Sequence, residues 1–451
     1  MTENNAPTPH TFLILGGNSD LAGRLLIPGI ADYLSLTPQA SIRIVGSSRS
    51  DDNDYPGFIR DALHDADVDG VTDEVIDHLA DTATWITADV TDRDELAAAV
   101  DHAVNHQPDA RLVIYYGLAP DVTEDTVDHL RHLTLPEGTV LAMEKPFGVD
   151  AASAAELEDT LTAITDEDHL FRVDHFLSQS ATINLIGALE ANHLLQPSWN
   201  HTAVEAIDIV YDEALGLEGR AEFYDSTGAA EDMLQSHLLN VAARILAATD
   251  PATSVNDVLD AATADLSTAR RARYTAGTVD GREMPAYADE AGVDPEQQTE
   301  TLAQVSFTVD NERWRGVPVT LRSGKAIGDA LQAITVTYKP TEQHPDAPTT
   351  RLVVPFEDKI ALDVNVADHG DPDALQQVRL SSGLSPSRLT PYARVVKAIV
   401  TDDHAVEVPA GAPQRAWAVM QPVLDAFSSG EVPLDEYAAG SHGPQEWFDE
   451  K

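Results

Sequence analysis

The sequence predicts two domains of different class, an α/β domain over residues 1–172 and a larger α+β domain over residues 173–451. In the first part, short aliphatic and β-branched runs alternate with helical stretches, which predicts a parallel sheet with crossover helices. In the second part, strand-like runs cluster without strict alternation, which favours an extended, mostly antiparallel sheet. The apolar content of 43% is sufficient for sizeable cores.

The elements of both domains are predicted from the period of their apolar residues. In the first domain, a helix that Asp20 opens is expected over residues 21–34, and strands at 11–15, 42–46, 112–116 and 139–143. In the second domain, strands are expected at 204–211, 301–309, 317–321, 333–338 and 351–355, and helices at 180–192, 231–247, 388–400 and 414–427. Residues 273–300 and 340–350 are predicted as loops.

The chain is strongly acidic, with 76 acidic and 28 basic residues and a formal net charge of −48. This charge argues against a nucleic-acid partner, because phosphate backbones are held by lysine and arginine, and against an anionic membrane surface. It indicates a salt-adapted or strongly solvated surface. An anionic substrate therefore requires a local basic pocket that acts against the field of the whole protein.

Three further features of the sequence concern location. No run of eighteen apolar residues is present, so no membrane span is expected. The N-terminal residues show no basic region with an apolar stretch and cleavage site behind it, so no export signal is expected. The chain contains no cysteine, which excludes disulfides, thiolate metal sites and a cysteine nucleophile. A cytoplasmic location is the simplest interpretation.

Lysine is rare, and two of the six lysines lie in unusual strings. Lys145 lies in EKPFG and Lys325 in LRSGK. A chain that otherwise avoids lysine has kept these two either because an ammonium group is needed there or as ordinary solvated surface groups. Lys145 and Lys325 are therefore the first candidates for chemistry.

The first strand runs into GGNSDLAG, which contains Gly16, Gly17, Asp20 and Leu21. Glycines at a strand-to-helix turn let the backbone approach a pyrophosphate, and the helix N-terminus supplies N–H donors. The usual G-x-G-x-x-G spacing is absent, so an ordinary tight turn is an equal alternative. On the first interpretation, this is a dinucleotide-binding (Rossmann) domain.

The second strand ends in GSSRS, in which Arg49 and Ser50 are candidate cofactor ligands. Dinucleotide-binding folds that prefer NAD usually place an acidic residue here to bind the ribose, whereas an arginine suits the 2′-phosphate of NADP. Arg49 therefore favours NADP, and the alternative is a surface arginine in a loop. Asp51 and Asp52 are close enough in sequence to neutralise Arg49 when no cofactor is bound.

Two histidines have carboxylates at suggestive offsets, with Asp174 beside His175 and Asp232 five residues before His237. Adjacent residues do not face each other on a helix, so Asp174 is expected to serve His237 and not its neighbour. A histidine that a carboxylate holds is the usual general base at neutral pH. The alternative for each histidine is a packed or capping role.

Several strings occur in a fixed order along the chain: GGNSDLA, EKPFG, FRVDHF, EGRAEFYDSTGAAEDMLQSHLL, QTETLAQVSFTVDNERWRGVPVTLRSGK and YAAGSHGP. Together they resemble the glucose-6-phosphate dehydrogenase family from about residue 11 to the C-terminus. The resemblance implies an oxidoreductase that converts glucose 6-phosphate to 6-phosphogluconolactone with NADP, the first step of the pentose phosphate pathway of glucose metabolism. It also implies a homodimer or homotetramer formed through the large sheet.

The resemblance further implies roles for individual residues. His237 matches the general base, Asp174 the carboxylate that orients it, and Lys145 the lysine between sugar and nicotinamide, on a cis peptide bond to Pro146. No metal is implied. The expected substrate ligands are His175, Gln179, Glu213, Asp232 and Lys325, and the expected cofactor ligands are Gly16, Gly17, Asp20, Leu21, Arg49, Ser50 and Lys145.

The chain departs from the family pattern mainly around phosphate binding. Phe176 and Gln179 stand where a tyrosine and a lysine are expected, and Ala326 stands where an arginine or lysine is expected. Ser19 replaces the second glycine of the turn, and Glu231 replaces an arginine. These departures leave open the same chemistry on an unphosphorylated or differently charged hexose.

A second alternative comes from another functional class. The chain could be a catalytically weak paralogue that acts as a partner or regulator of a true dehydrogenase. The intact set of Asp174, His237 and Lys145 argues against this alternative, because a regulator has no physical need for it.

Overall fold

The computed structural model describes residues 8–52 and 54–449. The segment considered above for an export signal falls partly on residues 1–7, which lie outside the described residues. The chain divides into two compact units, Met1–Ser178 with Ser387–Gln414, and Gln179–Pro386 with Arg415–Lys451. The predicted boundary at residue 172 lies close to the break after Ser178. The segment Ser387–Gln414, however, belongs to the first unit, whereas the sequence placed it in the second domain.

The first unit contains a six-stranded sheet whose strands are β1 (His10–Leu15), β2 (Ile42–Ser48), β3 (Thr84–Thr87), β4 (Arg111–Tyr116), β5 (Val140–Glu144) and β6 (Leu170–Val173). Their order is β3-β2-β1-β4-β5-β6, and every neighbouring pair is parallel. This order is that of the dinucleotide-binding fold, in which ligands bind at the carboxyl ends of the strands where the order reverses. The predicted parallel sheet is confirmed.

The α-helices are α1 (Ile27–Leu36), α2 (Tyr55–Ala66), α3 (Asp73–Thr82), α4 (Arg93–His106), α5 (Pro120–Leu130), α6 (Ala151–Thr162), α7 (Ser180–Ala191), α8 (Ala221–Ala229), α9 (Leu239–Ala247), α10 (Val255–Asp260), α11 (Pro391–Thr401), α12 (Ala412–Ser428) and α13 (Glu446–Asp449). Two segments are wound as π-helices, Ala22–Leu26 before α1 and Ala230–Leu238 between α8 and α9. Within the described ranges, no helix combines the length and the hydropathy that crossing a membrane requires.

The second unit is organised on a nine-stranded sheet. Its strands are β7 (Val204–Asp212), β8 (Ala262–Thr275), β11 (Leu302–Val309), β12 (Val319–Gly324), β13 (Gln332–Tyr338), β14 (Arg351–Pro355), β15 (Lys359–Asp368), β16 (Asp371–Gly383) and β17 (Leu434–Ala438). Between β8 and β11, β9 (Gly277–Val279) and β10 (Arg282–Met284) form a separate hairpin. The large sheet has the order β16-β15-β14-β13-β7-β12-β11-β8-β17. Only β7–β12 and β8–β17 pair in parallel among its described strands, so the mostly antiparallel prediction is confirmed.

The segment Ser387–Gln414 joins the first unit because α11 covers α1. The two helices approach so closely that a Cβ on Gly29 would lie 2.7 Å from Cβ of Tyr392. Tyr392, Val396 and Ile399 are buried in the same apolar core as Ile30 of α1. The sequence shows an amphipathic helix at this position, but its amphipathic pattern does not say which helix will cover the apolar face.

The prediction of a loop over residues 273–300 is wrong at its start, where β8 continues to Thr275 and the β9–β10 hairpin follows. β8 has no apolar alternation because several of its positions are arginine, and tertiary pairing decides its conformation. Arg271 is buried there and donates to the carbonyl oxygen of Val432 at 3.0 Å. The sequence also did not predict β3, β6, β15, β16 and β17.

Candidate active site

The turn after β1 depends on two glycines. A Cβ on Gly16, whose φ is +80°, would lie 2.3 Å from the carbonyl oxygen of Gly117, and a Cβ on Gly17 would lie 2.6 Å from Cα of Gly46. Both N–H groups donate to the carbonyl oxygen of Ser47, at 2.8 and 3.0 Å. The turn therefore lies directly against the carboxyl end of β2, which is the edge where dinucleotides bind to such sheets.

Ser19, Asp20 and Leu21 form the start of the helix that follows this turn. Ser19 Oγ accepts from the N–H of Ala22 at 3.3 Å, so the hydroxyl satisfies one of the N–H groups that a helix start leaves without an intrahelical partner. Asp20, the predicted opening residue, lies in the first turn and its carboxylate pairs with the exposed Arg24 at 3.4 Å. The serine in place of glycine thus has a local structural role.

Tyr55 supports the glycine turn from α2, and no sequence pattern singled it out. Its hydroxyl donates to the carbonyl oxygen of Gly17 at 3.2 Å, and its ring lies 4.9 Å from the ring of Trp85. A Cβ on Gly46 would lie 2.4 Å from Cζ of Tyr55, so this glycine leaves the space that the ring occupies. Burial, followed by the charge of Asp52, raises the pKa of Tyr55 and keeps its hydroxyl a donor.

Arg49 and Ser50 are exposed at the carboxyl end of β2. The Ser50 hydroxyl lies 3.1 Å from the hydroxyl of Ser48. The next two residues are acids that accept hydrogen bonds from neutral side chains. Asp51 accepts from the Thr87 hydroxyl at 3.0 Å, and Asp52 accepts from Nδ2 of Asn18 at 3.4 Å. A third acid, Asp89, also interacts with Arg49: its pKa is lowered mainly by hydrogen bonds from Thr91 and further by the charge of Arg49.

Lys145 follows a half-buried carboxylate at the end of β5. Glu144 Oε1 accepts from the hydroxyl of Tyr115 at 2.5 Å and from that of Tyr392 at 3.1 Å. Protein atoms surround the carboxyl group, and this burial raises the pKa of Glu144 to about 7, although both tyrosines and the charge of Lys145 act to lower it. The peptide bond between Lys145 and Pro146 is cis, as the resemblance implies.

Asp174 and His175 follow β6 in the same unit. Asp174 is fully buried, its Oδ1 accepts from the N–H of Phe176 at 3.0 Å, and its charge contributes to the raised pKa of Glu144. The His175 ring lies 5.4 Å from the ring of Tyr392 and 5.0 Å from that of Phe176. The first unit therefore places Lys145, Asp174 and His175 around one group of buried polar side chains.

In the second unit, Lys325 lies at the end of β12 between an acid and an aromatic ring. Its Nζ lies 2.6 Å from Oε2 of Glu213 and 5.1 Å from the ring centroid of Tyr224, a cation–π geometry. Its backbone N–H donates to the carbonyl oxygen of Thr301 at 2.8 Å, and the hydroxyl of Tyr437 donates to its carbonyl oxygen at 2.6 Å. Lys325 is thus fixed at both its side chain and its backbone, and it is 5% exposed.

Asp232 and His237 lie on the π-helical segment Ala230–Leu238, and both side chains are buried. The charge of Asp232 helps to raise the pKa of Tyr224, after burial as the main cause, so Asp232 lies near the group formed by Lys325, Glu213 and Tyr224, here called the Lys325 cluster. Wide helical turns of this kind are uncommon and frequently occur at functional sites. The sequence identified both side chains, but not the π-helical winding that sets their spacing.

Each unit therefore assembles its own share of the predicted residues. The first unit carries Gly16, Gly17, Asp20, Leu21, Arg49, Ser50, Lys145, Asp174 and His175, and the second carries Gln179, Glu213, Asp232, His237 and Lys325. Residues 13–184 match the description "Glucose-6-phosphate dehydrogenase, NAD binding domain", and residues 189–449 match "Glucose-6-phosphate dehydrogenase, C-terminal domain".

The chain belongs to the glucose-6-phosphate dehydrogenase family. It is therefore an oxidoreductase with a dinucleotide-binding domain. The glucose-6-phosphate 1-dehydrogenase of Gluconobacter oxydans is 28% identical over 472 residues, covering 97% of this chain and 95% of that protein.

Two solved structures of the family share this fold. The glucose-6-phosphate 1-dehydrogenase of Mycobacterium avium matches with a TM-score of 0.82 and 28% identity, covering 98% of this chain and 96% of that one. A glucose-6-phosphate dehydrogenase in complex with glucose-6-phosphate matches with a TM-score of 0.86 at 23% identity, covering 99% of this chain and 98% of that one.

The departures of this glucose-6-phosphate dehydrogenase family member from the family pattern are local. Phe176 is buried, Gln179 is half-buried at the start of α7, and Ala326 is buried with a φ of +53°. A long cationic side chain at position 326 would need both space and a left-handed backbone that side chains with a Cβ rarely adopt. The lost cations are thus replaced by residues that fit their present surroundings.

Three arginines that could compensate for the lost cations are each paired with an acid. Arg172 is buried between Glu158 and Glu167, at 2.5 and 2.8 Å, and has a structural role. Arg322 pairs with a carboxylate of β7 at 3.1 Å, and Arg24 lies near the cofactor turn. Each of these three arginines therefore already has a carboxylate partner.

The raised pKa of Glu144 predicts a pH-dependent stability. Between its usual value of 4.5 and about 7, the folded protein holds a proton that the unfolded chain has lost. The contribution of Glu144 to the free energy of unfolding is therefore fully present at low pH and falls as the pH rises through this window. Glu144→Gln, whose amide oxygen can accept both tyrosine hydroxyls, should gain roughly 2–3 kcal/mol relative to wild type between pH 5 and 8.

Chemical denaturation of both proteins at several pH values measures this difference. Glu74→Gln, an exposed substitution of the same chemistry on α3, is the matched control and should follow wild type at every pH. A constant offset between Glu144→Gln and wild type from pH 5 to 8 would show that the carboxyl group does not titrate in this range.

Proposed function

We propose that the protein oxidises glucose 6-phosphate at its anomeric carbon to 6-phosphogluconolactone, with NADP as the hydride acceptor. The observation that carries the proposal is the match of both domains to one enzyme family. The reaction removes a hydride from the carbon and a proton from its hydroxyl group, so it needs a bound dinucleotide, a base and ligands that orient the sugar.

The first unit fits a dinucleotide. The closely packed Gly16 and Gly17 leave no side chain at the carboxyl edge of the sheet, and Asp20 and Leu21 begin a helix whose N-terminus favours a phosphate group. Arg49 and Ser50 are exposed at the neighbouring strand end, where a 2′-phosphate would be recognised. When bound, the nicotinamide ring supplies the hydride acceptor.

Arg49 is the proposed source of a preference for NADP over NAD. Arg49→Ala should raise the Michaelis constant for NADP about tenfold, the effect of losing one charge-assisted hydrogen bond, and leave that for NAD nearly unchanged. Arg24→Ala, which removes another exposed arginine near the turn, is the control and should affect neither. Equal losses for both cofactors in Arg49→Ala would assign Arg49 to the fold and not to the 2′-phosphate.

His237 is the proposed general base that takes the proton of the anomeric hydroxyl. His237 is 2% exposed, and a neutral imidazole accepts a proton only at the ring nitrogen that carries none, so a partner of the other nitrogen decides which one faces the substrate. Asp174 is proposed, from the sequence resemblance, as the carboxylate that fixes this tautomer. Lys145, next to the buried Glu144 group, is proposed to stabilise charge on the reacting oxygen.

His237→Asn should keep NADP binding and lose turnover by about a hundred- to ten-thousandfold, because that is the usual contribution of a general base. Steady-state kinetics with saturating sugar and cofactor measure turnover, and fluorescence titration measures NADP binding. Turnover within about threefold of wild type would remove His237 from the mechanism.

The proposed sugar ligands are the Lys325 cluster, with Glu213 and Asp232, together with His175 and Gln179. The ammonium group of Lys325 is buried and already oriented, so its entropy loss on binding a substrate oxygen is small. Glu213 and Asp232 are acceptors for sugar hydroxyls. A network of fixed polar groups of this kind discriminates well between sugars that present and lack the matching hydroxyl.

A second candidate is the same reaction on an unphosphorylated or other hexose. It is favoured by Phe176, Gln179 and Ala326, which supply neither the tyrosine hydroxyl nor the cationic donors that the family pattern places near a phosphate group. Two missing charge-assisted contacts weaken the binding of a phosphorylated sugar by about a hundredfold or more, at roughly 1.5–3 kcal/mol each.

The specificity constants of wild type for glucose 6-phosphate and glucose distinguish these candidates. If the substrate is glucose 6-phosphate, Gln179→Lys should lower its Michaelis constant by about tenfold, and the gain should shrink as salt is added. Gln196→Lys adds the same charge at an exposed position of the same unit and should leave the Michaelis constant for glucose 6-phosphate unchanged. A specificity constant for glucose at or above that for the phosphate ester would establish the second candidate, and no turnover of any hexose would favour the regulatory paralogue.

The apolar groove on the outer strands of the large sheet supports the predicted homo-oligomer. It has a volume of about 370 Å³ and includes Leu194 and Leu380, which are 78% and 55% exposed. Exposed apolar groups that cluster in one patch, here Leu380 on β16 and Leu194 in the turn after α7, are typical of subunit contacts. We assign this surface to a second copy of the chain, as a homodimer or homotetramer, and sedimentation velocity tests it against the mass of one chain, 48.5 kDa. The cytoplasmic location and the pentose phosphate pathway stay predictions.

A further inference from the structure

A short segment, Thr299 to Thr301, connects several functional groups of the second unit. It leads into β11, and its three residues are buried. The Thr299 hydroxyl donates to the carbonyl oxygen of Asp225 in α8 at 2.7 Å, and the N–H of Thr301 donates to the carbonyl oxygen of Ala272 in β8 at 2.9 Å. Hydrogen bonds of Thr299 and Thr301 therefore fix the segment on both sides of its central residue, Glu300.

The Glu300 carboxylate lies at the break between α8 and the π-helical segment Ala230–Leu238. Its Oε1 accepts from the N–H of Ala230 at 2.9 Å, and the carbonyl oxygen of Glu300 accepts from the N–H of Ala229 at 3.2 Å. N–H groups at the start of a helix lack intrahelical partners, and a carboxylate there satisfies one of them and interacts favourably with the helix dipole. Glu300 thus anchors the first turn of the segment that carries Asp232 and His237.

Gly228 makes room for this carboxylate. Its φ is +64°, and a Cβ at this position would lie 2.5 Å from Oε1 of Glu300 and 2.9 Å from its Cδ. Any other residue would meet both a left-handed backbone and the carboxylate. Gly228 therefore interrupts the helix near the end of α8, and Glu300 caps the start of the π-helical segment that follows.

The charge of Glu300 reaches the groups that surround the proposed sugar ligands. Burial raises the pKa of Glu300 to about 7, opposed by the N–H of Ala230 and by the guanidinium of Arg271 in β8. The charge of Glu300 in turn contributes to the raised pKa values of Tyr224 in α8 and Tyr287, after burial as the main cause for both. Glu300 thus interacts with Arg271, Tyr224 and Tyr287, and also with the first residue of the π-helical segment, Ala230.

The same segment also fixes Lys325. The carbonyl oxygen of Thr301 accepts from the N–H of Lys325 at 2.8 Å, and the Thr301 hydroxyl lies 2.8 Å from the hydroxyl of Tyr437. Tyr437 in turn donates to the carbonyl oxygen of Lys325 at 2.6 Å. One stretch of three residues therefore sets the positions of Asp232 and His237 on one side and of Lys325 on the other.

We propose that Glu300 is a positioning residue of the sugar site, which fixes the helix segment bearing Asp232 and His237 relative to Lys325 through its contact at the Gly228 break. This inference rests on the proposed function, because it assumes that these three side chains meet the sugar. It extends that function by naming a residue that touches neither substrate nor cofactor. Its effect should fall on the sugar and not on the dinucleotide.

Glu300→Ala removes the acceptor of the Ala230 N–H and should raise the Michaelis constant for the sugar substrate at least about tenfold, with a further loss of turnover. The dissociation constant for NADP should stay within about twofold of wild type, since the cofactor ligands belong to the first unit. Glu300→Gln retains an amide oxygen of the same geometry and should recover most of the loss. Asp363→Ala, which removes a buried carboxylate near the other end of the large sheet, controls for lost stability and should not change the Michaelis constant.

Hydrogen–deuterium exchange supplies a readout that does not need turnover. Glu300→Ala should speed exchange in peptides that cover residues 229–238, and Glu300→Gln should not. If the wild-type protein turns over no sugar, the proposed function is wrong. The local exchange pattern would still test whether Glu300 fixes the helix segment through Ala230. The inference is overturned if Glu300→Ala leaves the sugar kinetics within twofold, if Glu300→Gln is as damaging as Glu300→Ala, or if faster exchange spreads evenly over the second unit.

Discussion

The carboxylate of Glu144, held by two tyrosine hydroxyls at the end of β5, is the constraint on which the arrangement of the first unit depends. Tyr115 comes from the adjacent β4, and Tyr392 comes from α11, more than two hundred residues later in the chain. Because Glu144 accepts hydrogen bonds from both tyrosines, it fixes α11 against the end of β5, immediately before Lys145. Burial of this carboxyl group raises its pKa, although the hydrogen bonds from both tyrosines act to lower it.

Charge is organised differently on the surface and at the sites. The surface carries most of the 76 acidic residues, whereas the cations with defined geometry are held by specific acids: Arg172 by Glu158 and Glu167, and Lys325 by Glu213. In a protein of net charge −48, a substrate with a phosphate group approaches against the overall potential. Local cations that are preoriented and partly desolvated therefore matter more here than in a protein of balanced charge.

The sequence predicted the parallel sheet, the longer helices α7, α9, α11 and α12 and the glycine turn, because each depends on a local pattern of apolar residues or on one residue type. It did not predict β8, since Arg271 and its neighbours interrupt the apolar pattern and only the paired strands on both sides define it. Tyr55, Tyr224 and Glu300 escaped notice for a related reason. Each acts through a contact with a residue distant in sequence, and the family strings that contain Tyr224 and Glu300 do not reveal these contacts.

The discontinuity of the first unit has a consequence for biosynthesis. The apolar face of α1 around Ile30 is covered by α11, which leaves the ribosome only after the greater part of the second unit has been made. From Ser178 to Gln414 the chain adds 236 residues (414 − 178), which takes on the order of 10–50 s at typical bacterial and eukaryotic rates. During this interval the nascent first unit exposes an uncovered hydrophobic groove, so the growing polypeptide is expected to need chaperone protection.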